Sequence, residues 1–270
     1  MKIFKTSLFF VLFVSILSCE NSKKNNTQVT TADSVSVQQV AKPEKAMVST
    51  PNKPFFEGSG STPEWRIELT PKTIVFISET EGLERLSFPI PEPILAADAN
   101  VKLYRAETEQ ASIKAQINMK ACNDADETSH LYSVSVDIKR HTDEDLKHFE
   151  GCGDYILDYR LHDIWALESI KDSLITAEQF SNEIPNLEIN TQEKSFSGYA
   201  GCNTMRGSLF SEQSKLRFTN IITTRKMCSP TNREAEFLKA LEASISYKID
   251  NRRLYLSNPD GNTLTFKKVD

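Results

Sequence analysis

Histidine is scarce in this sequence, with four among 270 residues, and only two tryptophans occur. No Cys-x-x-Cys pair is present, so a thioredoxin-like dithiol or a zinc site lacks its usual residues. Gly-x-Ser-x-Gly, the dinucleotide-binding glycine fingerprint, Gly-Lys-Ser/Thr and the zinc-protease histidine pair are all missing. The usual sequence marks of a serine hydrolase, a nucleotide enzyme and a metalloprotease are therefore lacking. Positive charge is also short: 32 Lys and Arg stand against 37 Asp and Glu, a net charge of -5, with no basic cluster. A phosphate backbone would meet a repelling field, so nucleic acid is not an expected partner. The apolar run Leu8 to Leu17 falls well short of the roughly 20 residues that cross a bilayer as a helix.

That run is nonetheless informative. Lys2 and Lys5 precede it and small Ser18 follows, the layout of a signal peptide over residues 1–18. Ile16-Leu17-Ser18-Cys19 resembles the lipobox of bacterial lipoproteins. The resemblance implies a lipid on the Cys19 thiol, with palmitate among its acyl chains, and a membrane held through that anchor. Two or more acyl chains hold a protein stably where one does not. Glu20, rather than aspartate, follows the cysteine and points to the outer membrane, facing the periplasm.

Residues 19–54 continue with Asn, Ser, Thr, Lys, Gln and Pro and too few apolar residues to offset the entropy of ordering them. This stretch reads as a tether with an end-to-end distance of roughly 30 Å. The body from Phe55 onward holds 25 basic and 34 acidic residues. Its four cysteines, 122, 152, 202 and 228, are an even number suited to an oxidising compartment, where three pairings are open. The local pairs Cys122 to Cys152 and Cys202 to Cys228 are favoured because each staples one of two domains, 55–158 and 161–270.

Period-2 apolar patterns dominate the second half: Ile164 to Leu167, Leu187 to Ile189, Leu216 and Phe218, Leu254 and Leu256, Leu264 and Phe266. Asn258-Pro259-Asp260-Gly261-Asn262 is a turn signal between the last two, and Asp250-Asn251 a weaker one before them. One helix is expected to begin directly after Cys228, with Ser229-Pro230 as cap and first residue or, in competition, Thr231 with Glu234 as a capping box. Phe237, Leu238, Leu241 and Ile245 form its buried stripe. Gly198, Gly201-Cys202-Asn203, Gly207, Thr224 and Cys228 resemble the pattern of the META domain found in HslJ-like heat-shock lipoproteins, with Lys226-Met227 departing from it. The resemblance implies a small β-rich domain with one helix and a loose link to stress tolerance.

In the first half, Trp65-Arg-Ile-Glu-Leu69, Thr73 to Ile77, Lys102 to Tyr104, Ser112 to Ile117 and Leu131 to Ile138 read as strands, while Gly58-Ser-Gly-Ser61 reads as a hinge ending the tether. Gly60, Pro63 and Trp65, then Cys122, Asp124 and Tyr132, then Gly151-Cys152-Gly153 resemble an uncharacterised envelope family often joined to META domains. The expected fold is β-rich α+β: two small antiparallel β domains, the C-terminal one with a single packed helix.

Candidate sites are few. Asp124, Asp126, Glu127 and His130 carry oxygen and imidazole ligands but no EF-hand spacing, and read as a solvated loop. His141 and His148 sit in a charged surface segment. Trp65 and Trp165 read first as core, and Trp65 and Asn203 are the residues singled out as able to face a ligand. No catalytic, metal or cofactor residue is assigned. The expected function is a non-enzymatic envelope lipoprotein, a binding or stress-protection module for a protein, a peptidoglycan component or a small hydrophobic molecule. An envelope hydrolase or metal-dependent enzyme, and a structural scaffold, are the alternatives.

Overall fold

The computed structural model describes residues 52–181 and 183–269. Cys19, the expected signal peptide and most of the expected tether lie outside them. Every element and count given refers to the described residues, which fall within one compact unit running from Thr50 to Asp270.

Eleven strands make up the first half: β1 Phe56–Ser61, β2 Glu64–Leu69, β3 Thr73–Ser78, β4 Arg85–Pro89, β5 Ile94–Leu95, β6 Val101–Glu107, β7 Ala111–Asn118, β8 Cys122–Asn123, β9 Ser129–His130, β10 Tyr132–Arg140 and β11 Lys147–Tyr155. Nine of them form one sheet in the order β4-β3-β2-β1-β11-β10-β7-β6-β5, with every pairing antiparallel. Strict alternation sends Trp65, Ile67 and Leu69 to one face beside Ile113, Ala115 and Ile117, and these build a core with Phe56, Phe76, Phe88 and Phe149.

The charged segment around His148 and Glu150 is exposed, as expected, and runs as a strand, β11. Gly58-Ser-Gly-Ser61, by contrast, is not a hinge. It belongs to β1, a central strand flanked by β2 and β11. The reason is steric. Trp65 lies across the inner face where β1 and β11 meet, so a side chain there has no room: a Cβ on Gly60 would sit 2.3 Å from Trp65 Nε1, and one on Gly151 would sit 1.9 Å from the Ser59 carbonyl oxygen. Trp65, 2 % exposed and stacked on Phe76, fills the space that alternating apolar residues would otherwise occupy.

The second half holds β12 Asp163–Ile170, β13 Ser173–Leu174, β14 Asn186–Asn190, β15 Ser195–Tyr199, β16 Thr204–Glu212, β17 Lys215–Thr223, the helix α1 Glu234–Glu242, β18 Ser246–Asp250, β19 Arg253–Asn258 and β20 Gly261–Lys268. Pairing of β12 with β20 closes this sheet into an antiparallel barrel. The closure is weakest where β17 meets β18 at a single rung, Lys215 opposite Ser246, and α1 packs against β17 and β20. Phe237 and Leu241 of α1 enter a core with Trp165, Phe196, Phe218 and Phe266. The turn at Asn251-Arg252 has both residues at positive φ, 48° and 61°, as a two-residue hairpin loop requires.

The helix starts later than its sequence suggests. Ser229 to Asn232 form a separate turn, closed by the Asn232 amide on the Ser229 carbonyl, and Arg233 occupies the cap position. No described helix is long and apolar enough to cross a membrane.

Candidate functional site

Alternation along β2, β1, β11, β10 and β7 places a set of polar side chains on the outer face of the first sheet. Registration then lines them up across it. Arg66, Ser59, Cys152, Ser133 and Asn118 form one rung, each opposite the next. Two residues along, Glu64 faces Ser61, and Glu150, Ser135 and Gln116 face one another in turn. Adjacent strands lie about 4.8 Å apart, so the rungs present hydroxyls and amides at a regular spacing. They line an open cleft of about 1290 Å³. Gln116 Nε2 donates to Asn118 Oδ1 at 2.9 Å and Asn118 Nδ2 to Ser133 Oγ at 3.4 Å, whereas the hydroxyls of Ser59, Ser61 and Ser135 hold no partner among the described residues.

One side of the cleft is walled by a small flap, β8, β9 and the turn between them. Cys122 and His130 face each other in the flap, and both reach β11: Cys122 through its disulfide to Cys152, His130 through Nδ1 to Asp154 Oδ2 at 2.9 Å. Asp124 shapes the turn, since its Oδ1 accepts from the Asp126 and Thr128 amides at 3.0 and 2.8 Å while Oδ2 meets His130 Nε2 at 3.1 Å. The His130 hydrogen bond and those amides hold the Asp124 carboxyl below its ordinary range. Partial burial of His130 opposes its positive charge, but the bonds to Asp124 and Asp154 outweigh that, and its pKa is raised. Asp126 and Glu127 stay exposed, so the solvated-loop expectation holds for these two carboxylates, while Asp124 and His130 form an ion pair.

Asn203 does not face a ligand. It is 5 % exposed and its capacity is taken up internally. Its amide N and Nδ2 donate to Glu234 at 2.5 and 2.7 Å, and its Oδ1 accepts from Thr224 Oγ1 and the Lys226 amide at 2.9 and 2.7 Å. With the Cys202–Cys228 disulfide beside it, this knot fixes the first turn of α1 to the loop before β16. Gly201 there sits at φ +118° against the Phe180 ring, which explains glycine at that position. Among the described residues, Cys202, Cys228 and Glu234 are the one group of three metal-type donors within reach of a shared ion, and its two sulfurs are bonded to each other. Trp65 is core, as its first reading had it, and does not face a ligand: its indole N–H donates to the Glu150 carbonyl at 3.3 Å. Trp165, at 1 % exposure, donates to the Leu161 carbonyl at 2.9 Å.

A third cluster joins the two sheets and has no mark in the sequence. At the tip of the β16–β17 hairpin, Glu212 enters the first sheet's inner side at 3 % exposure. Its carboxylate accepts from Lys102 Nζ at 2.8 Å, Tyr132 Oη at 2.6 Å and Asn100 Nδ2 at 2.7 Å. Lys102 also donates to Tyr155 Oη at 2.9 Å and lies over that ring. Burial would raise the Glu212 carboxyl, but Lys102, Tyr132 and Asn100 together hold it low. Burial pushes the Tyr104 hydroxyl up to about 12 and the Tyr132 and Tyr155 hydroxyls higher still, so none of the three ionises in the ordinary range.

The barrel closed by β12 and β20, the single helix and the Cys202-Asn203 knot lie together in the second half, and that segment has a recognisable family. Residues 155–270 match the model of the META domain. Three solved structures are similar to the chain. A protein from Burkholderia xenovorans, solved by NMR, is 26% identical, with 40% of this chain and 82% of that one covered and a TM-score of 0.34. A second NMR structure is 22% identical over 40% and 90%, with a TM-score of 0.33. The crystal structure of a DUF4847 family protein from Bacteroides vulgatus is 16% identical over 41% and 96%, with a TM-score of 0.30. No curated protein matches the chain. The META domain therefore contributes Glu212 to the joint, while the cleft belongs to the half that precedes it.

Proposed function

We propose that the chain is a non-catalytic binding module of the bacterial envelope, that its cleft takes a peptidoglycan strand, and that the META domain braces the sheet carrying the cleft. The observation that carries this reading is the pair of polar rungs: three unpartnered serine hydroxyls and two amides on β1, β10 and β7, within rungs that cross five strands. A polymer bearing hydroxyls and amides at short regular intervals can meet such a lattice repeatedly. A small hydrophobic molecule would leave those groups without partners, at a desolvation cost of about 1–3 kcal/mol for each one buried. Around the cleft, Glu64, Glu79, Glu150, Asp124 and Asp126 outnumber Arg66 and Lys120, which favours the uncharged hydroxyls and N-acetyl amides of the glycan over the carboxylate-bearing stem peptides.

Magnitudes set the form of the interaction. Five or six neutral hydrogen bonds contribute about 1 kcal/mol each, and ordering costs take back part of that, so a single fragment binds at about millimolar strength. A polymeric ligand and a membrane-held protein raise the effective concentration. The lipid expected at Cys19 supplies the second attachment, and Cys19→Ser should move the protein from the membrane fraction to the soluble one. The direct test is co-sedimentation with insoluble peptidoglycan. Wild type is expected in the pellet and a Ser59→Trp/Ser135→Trp variant, which fills the cleft from an exposed and a half-buried position on its floor, in the supernatant. Equal pelleting of the two folded proteins defeats the proposal.

A further inference from the structure

The flap beside the cleft has two feet of different chemical kind. Cys122 and His130, opposite each other in the flap, land on Cys152 and Asp154, two residues apart on the same face of β11. The first foot is covalent. The second depends on a proton, because His130 Nδ1 lies 2.9 Å from Asp154 Oδ2 while Nε2 lies 3.1 Å from Asp124 Oδ2. A neutral imidazole has a single N–H and cannot donate to both carboxylates, whereas an imidazolium donates to each. The charged groups around the ring are Asp124, Asp126 and Glu127 from the flap, Asp154 from β11, Glu57 opposite Asp154 on β1, and Lys120 on the segment entering the flap.

We propose that His130 is a proton-operated clasp: as an imidazolium it ties the flap tip, through Asp124, to β11, and as a neutral ring it keeps Asp154 and lets the tip go. Asp154 is the contact retained because it lies on β11, paired along both edges, whereas Asp124 lies in a turn of a two-stranded flap. Asp124 then faces an unprotonated nitrogen, acceptor against acceptor. The turn that walls the cleft loses its tie, while the Cys122–Cys152 foot acts as the hinge. The raised pKa of His130 sets the direction: the clasp is closed below the ordinary histidine value of about 6.5 and opens as pH rises through the higher folded value. An effect of opening on ligand retention rests on the cleft reading, whereas the clasp does not.

Two measurements on the full chain test this. Amide exchange of Asp126 and Thr128, whose N–H groups bond to Asp124, is followed as protection relative to free peptide between about pH 5.5 and 8.5, with His130 titrated by NMR in the same samples. Protection is expected to fall at least about tenfold across the His130 titration in wild type, and to be low and pH-independent in His130→Gln. In Asp124→Asn, the His130 titration should move down towards the ordinary value. Amides of the Asn203 loop serve as the folding control and should not change. Protection at Asp126 and Thr128 that ignores pH in wild type, or that keeps its pH dependence in His130→Gln, overturns the clasp. Co-sedimentation with peptidoglycan across the same pH range separates the two readings: a titrating flap without pelleting at any pH sinks the cleft ligand alone, and pelleting with a non-titrating flap sinks the clasp alone.

Discussion

Lys102 carries its ammonium group into a ring of tyrosines, and only the Glu212 carboxylate there opposes the charge. Removing one member of a buried pair leaves the other uncompensated, which costs about 3–5 kcal/mol. Glu212→Ala is therefore expected to lower the urea midpoint sharply, while Lys102→Met combined with Glu212→Leu should cost much less than Glu212→Ala alone. The pH dependence follows from the depressed Glu212 carboxyl. Its contribution is complete above the ordinary glutamate value of about 4.3 and is lost as pH falls through the lower folded value, so acid should destabilise wild type more steeply than Glu212→Gln. None of this was legible in the sequence, because a glutamate at a hairpin tip reads as solvated and its partner lies 110 residues away. Trp65 was legible as core, since the alternation of Trp65, Ile67 and Leu69 gives one face. Asn203 was legible as a turn residue, but its full occupation depends on Glu234, which is brought near only when α1 packs.

Among elements, the hairpins with local turn chemistry could be read directly. Pro259-Asp260 lies inside the turn expected there, and the Asp250-Asn251 signal falls one residue short of the observed Asn251-Arg252 loop, because Asp250 still pairs with Arg253. The pair β1 and β11 could not, although it lies at the centre of its sheet. Its outer face is the polar cleft and its inner face is glycine beneath Trp65, so neither side shows the apolar alternation of a half-buried strand. Gly151→Ala is the matching test: a Cβ 1.9 Å from the Ser59 carbonyl oxygen must part the strands, at about 1–3 kcal/mol by chemical denaturation. Replacing Cys202 and Cys228 together with serine opens a loop spanning 26 residues of sequence. Chain entropy puts that loss at about 3.5 kcal/mol, read as the shift of a guanidinium midpoint. The bonds from Asn203 to Glu234 should still hold α1 in place, so far-ultraviolet circular dichroism should keep its native shape.

For the molecule as a whole, cysteine spacing and turn signals reveal two β modules, and two separate cores divide between Tyr155 and Leu157. What they do not reveal is that the modules share a buried ion pair, because neither core pattern runs across the joint. With Glu212 in place, calorimetry should record one unfolding transition. Glu212→Ala should separate it into two, each belonging to one core, and a single transition in that variant would show that other contacts couple the halves.

The Glu212 joint is also lopsided. If the halves were parted, the META domain would merely return a carboxylate at a hairpin tip to water, which accepts it readily. The preceding half would keep Lys102 against Tyr155 with its counter-ion gone. One half is thus a guest that can leave and remain intact, and the other a host whose stability depends on being occupied. A chain cut near Tyr155 should yield a META fragment that stays in solution and a partner fragment that is rescued when the first is added back.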